Sequence, residues 1–268
     1  MSEITTTLEI LAIRAYGAIP VNDCDYVGED GLLVCGKCHT PKQCKPFHGK
    51  EAVVFCLCDC MKQKDELDRM IRNRRQIERC RTDCFGTSDL MRADFAKDDG
   101  KNPKLTQTCK EFAERVKSHE SPWLMLWGDC GTGKSYMAAC IAHEAINAGM
   151  TARFITVPEV EQMLWRERDK SAVYDALNTV GLLVIDDFGC ERRTDYMDEI
   201  KFNLIDGRLR SGKPCIITTN LTEQDFAAPS DHAMKRIISR LFERVQTCHV
   251  QGADRRFAKL RERAAEKR

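Results

Sequence analysis

The chain has 268 residues, 43% of them hydrophobic, enough for one sizeable α/β core and a smaller module at roughly 100–200 residues per domain. Its 42 Lys and Arg balance 41 Asp and Glu, which excludes a chain-wide field for nucleic acid or membrane and leaves only local basic surfaces. No stretch approaches the roughly 18 consecutive apolar residues of a membrane span, and MSEITTTLEI has neither a basic n-region nor an apolar h-region, so a cytoplasmic protein with no membrane partner is expected.

In chain order, the apolar run Leu8 to Ala15, followed by Gly17 and Pro20, predicts a short helix and a turn. Two β-type runs come next, Gly31-Leu32-Leu33-Val34 and Ala52-Val53-Val54-Phe55, each ending in cysteines, which predicts a zinc-clasped β-hairpin. From Met61 to Arg81 the chain is dense in charge, with Leu67, Met70, Ile71 and Ile77 at helical spacing, and reads as an exposed basic helix. Asp83 to Pro103 holds Gly86 and the run Asp98-Asp99-Gly100 and reads as turn-rich. The expected domains are therefore 1–85, a linker over 86–104, and 105–268.

The third of these segments alternates. Thr106 to His119, Ser135 to Ala148, Pro158 to Arg168 and Met197 to Ser211 have helical patterns, and Trp123 to Trp127, Arg153 to Val157, Leu182 to Ile185 and Cys215 to Thr219 have strand patterns. That alternation predicts an α/β fold with a parallel sheet covered by helices on both faces.

Gly128-Asp129-Cys130-Gly131-Thr132-Gly133-Lys134-Ser135 fits G-x-x-x-x-G-K-[ST], and Tyr136 continues it into the helix. The glycines let the backbone curl so that its N–H groups point at phosphate oxygens. Lys134 is then placed to reach the β- and γ-phosphates and Ser135 to hold Mg²⁺, so ATP or ADP with Mg²⁺ is the expected ligand. An apolar strand before the loop and a helix after it supply the context the mechanism needs.

About fifty residues later, Leu182 to Ile185 ends in Asp186-Asp187, a Walker B run. Asp186 is expected to help hold Mg²⁺ and Asp187 to orient or deprotonate the attacking water of an ATPase. Asn220 closes the run Ile216-Ile217-Thr218-Thr219 and is a candidate γ-phosphate contact, although an Asn after a strand is commonly a turn residue. Arg236 and Arg240, four apart on one helical pattern, are either a solvated basic face or a source of an arginine finger for a neighbouring subunit.

Together these motifs, with the stretch Gly212 to Leu221, resemble the AAA+ ATPases of the bacterial replicative helicase-loader family, the DnaC and DnaI type, including phage and prophage versions. The resemblance covers most of the chain. It implies that Asn220 matches sensor 1 and Arg240 the arginine finger, and it sets Gly252-Ala253-Asp254-Arg255-Arg256 loosely beside a segment that carries a further arginine. It also implies that the N-terminal module docks on a replicative hexameric helicase while the ATPase modules form a ring or spiral homo-oligomer with ATP and contact single-stranded DNA during replication initiation.

Clustered cysteines in a chain without a secretory signal point to metal more than to disulfides. Cys35-Gly36-Lys37-Cys38 is one C-x₂-C knuckle, and Cys56-Leu57-Cys58-Asp59-Cys60 offers three thiols for a second. The expected Zn²⁺ ligands are Cys35, Cys38, Cys58 and Cys60, with Cys56 and then Cys44 as substitutes and Cys24, His39 and His48 nearby. So small a module buries too little apolar surface to fold unaided, so metal binding would carry much of its folding free energy.

Two other functions fit part of the pattern. A transposition helper ATPase of the IstB type shares the core but generally matches only residues 105–250. A nucleotide-switched DNA-binding module would use the zinc hairpin and the helix from Arg69 to Arg81, where basic residues are interleaved with Asp65, Glu66, Asp68 and Glu78.

Overall fold

The structure, a computed structural model, describes residues 21–45, 53–192, 194–229 and 232–255; the helix expected from Leu8 to Ala15 lies outside them. The chain divides into two compact units, Met1–Arg75 and Gln76–Arg268, so the division falls earlier than the expected boundary at 85.

In the first unit, β1 (Tyr26–Val27) pairs antiparallel with β2 (Leu33–Val34), and β3 (Gln43–Cys44) with β4 (Val54–Phe55). The two apolar runs therefore do not pair with each other as the expected hairpin. Local turn chemistry decides this: Gly31 adopts φ 75°, the Asp30 carboxylate accepts the Leu32 N–H at 3.0 Å, and β2 folds back on its nearest upstream segment. Lys42 and Asp25 form a buried ion pair at 2.5 Å beneath these ribbons, and Asp25 also accepts the Gly36 N–H at 3.1 Å. Helix α1 (Asp59–Phe85) begins at the cysteine cluster.

The second unit starts within α1. Residues 86–104, expected as a linker, instead fold onto its core through two 3₁₀ turns, Asp89–Arg92 and Phe95–Lys97. Three polar side chains of the stretch are caps: Ser88 and Asp94 accept the N–H groups of Leu90 and Ala96, and Asn102 caps α2 (Pro103–Lys117). Ala93 is buried, and Leu90, Met91 and Phe95 pack against the same cluster.

Strands β5 (Trp123–Trp127), β6 (Ala152–Thr156), β7 (Leu182–Asp186), β8 (Cys215–Thr219) and β9 (Val245–His249) form one sheet in the order β6-β7-β8-β5-β9, parallel throughout. Between them run α3 (Lys134–Asn147), α4 (Val157–Arg166), α5 (Lys170–Thr179), α6 (Asp195–Ser211), α7 (Glu223–Ala227) and α8 (His232–Phe242). Alternation along each strand divides the core. Leu124, Leu126, Val184 and Ile216 join α2 and α3 on one face, while Trp123, Met125, Leu183 and Ile217 join α4, α6 and α8 on the other. This is the expected α/β sheet covered on both faces, with one strand, β9, and two helices, α5 and α7, more than the pattern announced.

Arg208 closes a seam in this core. It is fully buried, and its guanidinium donates to the carbonyls of Leu177, Asn178, Val180, Gly181 and Pro214, fixing the turns before β7 and β8.

Candidate functional site

The order of strands places β5 between β8 and β9, and the helix that follows β5 packs on the opposite face from those that follow β6, β7 and β8, so the crevice beyond the carboxyl end of β5 is where such sheets bind ligands. The loop Gly128–Ser135 starts there. Gly131 and Gly133 have φ of 75° and 101°, and a Cβ on Gly131 would fall 2.0 Å from an Asp254 carboxylate oxygen, so neither position accepts another residue without displacement. Gly133 is the N-cap of α3, whose amide end faces the same crevice.

The predicted residues of the loop divide by exposure. Gly128 and Thr132 are buried, the latter donating its hydroxyl to the Asp129 carbonyl at 2.9 Å, while Asp129 and Cys130 form the exposed crest. Lys134 is 5% exposed, and its ammonium donates to the carbonyls of Gly128 and Asp129 at 2.8 and 2.7 Å and to Asn220 Oδ1 at 2.7 Å. Burial lowers its pKa. Tyr136 donates its hydroxyl to the Asp94 carbonyl at 2.9 Å, tying α3 to the 3₁₀ segment.

Register aligns the acids with this loop. Thr156 of β6 pairs with Asp186 and Ile185 of β7 with Ile217 of β8, so β7 and β8 end side by side. Asp186 is buried, accepts the Thr218 hydroxyl at 2.5 Å and interacts with the Ser135 hydroxyl; its burial raises its pKa above the carboxylate norm. A buried carboxylate beside a hydroxyl at the head of a helix suits a hard divalent cation. Asp187 is exposed, has φ 51° and donates its N–H to Thr218 Oγ1 at 3.0 Å; such a conformation in a non-glycine residue is held by its surroundings.

Lys134, Ser135, Tyr136, Asp187 and Asn220 line one cavity of about 670 Å³, large enough for a nucleotide. Arg255 lines it too: its N–H donates to the Gly131 carbonyl at 3.0 Å, and its guanidinium lies over Gly133 and pairs with Asp98 and Asp99. Sequence reasoning set Arg255 only loosely beside a known segment and missed Asp98, Asp99 and Cys190. The Cys190 thiol accepts from Asn220 Nδ2 at 3.3 Å, so the Asn220 amide bridges Cys190 and Lys134. Nothing in a turn-rich stretch or a lone thiol signals these placements.

Arg240 lies elsewhere. It pairs with Glu243 at 2.9 Å and Asp206 at 3.6 Å and lines a separate cleft with Arg236, whose guanidinium stacks on Phe202.

In the first unit, the sulfurs of Cys35, Cys38, Cys58 and Cys60 lie within 4.8 Å of one another, with Cys58–Cys60 at 3.4 Å and Cys35–Cys60 at 3.6 Å. Tetrahedral Zn–S bonds of about 2.3 Å place sulfurs roughly 3.8 Å apart, so the donor set fits a metal ion. Hydrogen bonds, first from the Thr40 hydroxyl, hold Cys38 down to about 5, while neighbouring thiols, first Cys58, push Cys60 up to about 12. All four can be thiolates together only with a cation between them. Cys56 donates to the Pro41 carbonyl, outside the cluster, and Cys44 is not part of it either. Along α1, Arg69 and Arg72 pair with Asp65, which neutralises part of the face expected to be basic.

Sheet order, phosphate loop and paired acids define a P-loop nucleotide-binding protein of the AAA+ fold. The chain belongs to the IstB-like ATP binding protein family, whose sequence model matches residues 51–264, so that likeness reaches well beyond the expected 105–250 and takes in Cys56 to Cys60. It is 22% identical over 203 residues to the replicative helicase loader DnaI of Bacillus subtilis (strain 168), spanning 71% of this chain and 65% of that protein. With the replicative helicase loader DnaC of Escherichia coli (strain K12) it shares 30% identity over 122 residues, 44% of this chain and 48% of that protein. The chain thus spans between about half and two thirds of the length of these relatives. The crystal structure of DnaI shares the fold, with TM-score 0.55 at 24% identity over 66% of this chain and 99% of that one. Among the described residues, no helix is long and apolar enough to cross a membrane.

Proposed function

We propose that the protein is an ATP-hydrolysing helicase loader: it docks on a replicative hexameric DNA helicase through its N-terminal unit and, with ATP, helps place the ring on single-stranded DNA. The observation that carries this reading is the joining, in one chain, of a complete phosphate-loop site with a four-thiol module, since a docking module is what a loader adds to the bare ATPase. The two relatives named above are both replicative helicase loaders, which supports the same reading.

In this proposal Lys134 holds the β- and γ-phosphates, with the loop amides and the head of α3 drawing in the anion. Ser135 and Asp186 hold Mg²⁺, which when bound offsets charge developing on the transferred phosphate. Asp187 orients or deprotonates the attacking water, and Asn220 reports the γ-phosphate to the end of β8. Arg240, remote from its own loop, serves as the finger of the next subunit in a ring or spiral, an effect of roughly 10³-fold or more on hydrolysis in related chemistries. Cys35, Cys38, Cys58 and Cys60 hold Zn²⁺ and fix the N-terminal unit.

The family assignment itself supports a second reading, a transposition helper ATPase with a transposase as partner. A pull-down from host lysate, using wild type and Lys134→Ala as baits, separates the two. A replicative helicase retained on either bait is the expected result; a transposase in its place, or no helicase on both, overturns the loader reading.

A further inference from the structure

The cavity that holds the phosphate loop carries charges of both signs. Lys134, the loop amides and the head of α3 line it at the loop, and Asp98 and Asp99, on the segment between the 3₁₀ turns and α2, line it together with Arg92, Lys97, Lys101 and Arg255. The loop supplies the donors for an anion, so the phosphates belong at the loop and the nucleoside beside the aspartates.

Asp98 is built for a ligand more than for a surface. Its side chain is 6% exposed, and its Oδ2 accepts the Thr106 hydroxyl at 2.6 Å. Its Oδ1 is buried without a hydrogen bond; the nearest cation, Arg255, stands off at 3.6 Å. An ionised carboxylate only accepts, so the partner this atom lacks is a donor. Asp99, beside it in the same cavity, is 3.3 Å from the same guanidinium.

The distance to the loop selects which donor. One Arg255 guanidinium both lies over Gly133 and reaches the two aspartates, so the carboxylates sit a single side-chain head away from the phosphate cradle. In a nucleotide the group at that remove from the phosphates is the ribose, which presents two hydroxyl donors on adjacent carbons; the base lies farther out.

We propose that Asp98, with Asp99 beside it, accepts hydrogen bonds from the ribose hydroxyls and makes this site selective for ribonucleoside over deoxyribonucleoside triphosphates. The inference rests on the nucleotide-binding part of the proposed function and deepens it. A hydrogen bond to a buried charged acceptor, lost while the acceptor stays buried, corresponds to roughly tenfold or more in affinity.

The test is calorimetric titration of the full chain with the Mg²⁺ complexes of ATP, 2′-deoxyATP, 3′-deoxyATP and ITP, on wild type, Asp98→Ala and the isosteric Asp98→Asn. Wild type is expected to bind ATP roughly tenfold or more tightly than at least one deoxy analogue, and Asp98→Ala to bring that ratio near one. Loosening of Arg255 by either substitution weakens ATP and its deoxy analogues alike and cancels in the ratio. Equal affinity of wild type for ATP and both deoxy analogues overturns the proposal even if neither variant folds. So does a parallel loss for all ligands in the variants. Discrimination against ITP that Asp98→Ala abolishes, with no ribose preference, assigns the carboxylate to the base and equally overturns it. Failure of wild type to bind ATP at all sinks the nucleotide reading itself and is recognisable as such.

Discussion

In the first unit the buried side chains among the described residues are Val21, Leu33, Cys35, Lys42 and Cys58, and eight large apolar residues, from Tyr26 to Ile71, stay exposed. In the second unit two apolar clusters clothe both faces of a five-stranded sheet, and among its described residues Trp165 and Phe242 are the large apolar side chains left outside. At about 25 cal/mol per Å² of apolar surface, the second unit has ample burial to order its backbone, and the described residues of the first do not. What the first has instead is four sulfurs in one place. The nucleotide site is therefore a site laid on a finished scaffold, whereas the cysteine site is part of the scaffold.

The largest expected effect tests that contrast directly. Structural zinc sites contribute about 10–16 kcal/mol of apparent binding energy in small modules. Chelation, or Cys58→Ser, is expected to erase amide-exchange protection from Cys35 to Cys60 while leaving the melting transition of the second unit in place. Unchanged exchange in the first unit would break the comparison; melting of both units together would blur it.

A smaller effect probes Arg208, one of the buried polar groups of the second unit. Arg208→Met keeps the volume but strips hydrogen bonds from the buried carbonyls around the guanidinium, a loss expected to cost about 3 kcal/mol or more. Urea denaturation reads it as a lower midpoint at unchanged slope. A midpoint equal to wild type would mean that apolar packing alone closes the seam.

The smallest effect concerns His143, which stacks on Phe85 at 4.4 Å and bonds through Nε2 with the Leu90 carbonyl at 3.0 Å. Burial lowers its pKa below 6.5, so folding favours the neutral ring. Its contribution is intact above 6.5 and is lost as the pH falls from there through the depressed value, because the unfolded chain then takes up the proton first. His143→Gln is expected to flatten stability between pH 7 and the acid side of 6.5 relative to wild type. Parallel pH curves for the two proteins would discard His143 as the source.

Much of the second unit was legible because its strands are apolar and short and its loop has a fixed chemistry; β5 and β8 fall on the expected residues. Strand β9 escaped notice because Val-Gln-Thr-Cys-His is an edge strand with three exposed positions, lacking the apolar run that marks a buried strand. Helix α5 carries only Val173 and Leu177 inward, too few to set a period. The segment 86–104 misled for a different reason: capping and turning use the same Ser, Asp and Asn side chains, and sequence does not tell a cap from a loop until the helix behind it is known. In the first unit the cysteine spacing offered the four gathered thiols with Cys56 and Cys44 as substitutes, while the strand pairing went to neighbours, Tyr26-Val27 and Gln43-Cys44, too short to announce themselves.

Lys134 has three N–H groups and three oxygens to receive them, two from its own loop and one from Asn220. Capture of a phosphate there would be an exchange reaction, not an addition: the lysine would give up neutral acceptors for charged ones. What drives the exchange is the difference between the two sets, and what it liberates is the Asn220 carbonyl oxygen at the tip of β8. An amide relieved of one partner is able to turn, and Cys190 is bonded to its other end. The loop and the segment after the second acid thus share a single amide, and a phosphate that displaced it from Lys134 would leave it free to redirect a hydrogen bond at the tip of β8.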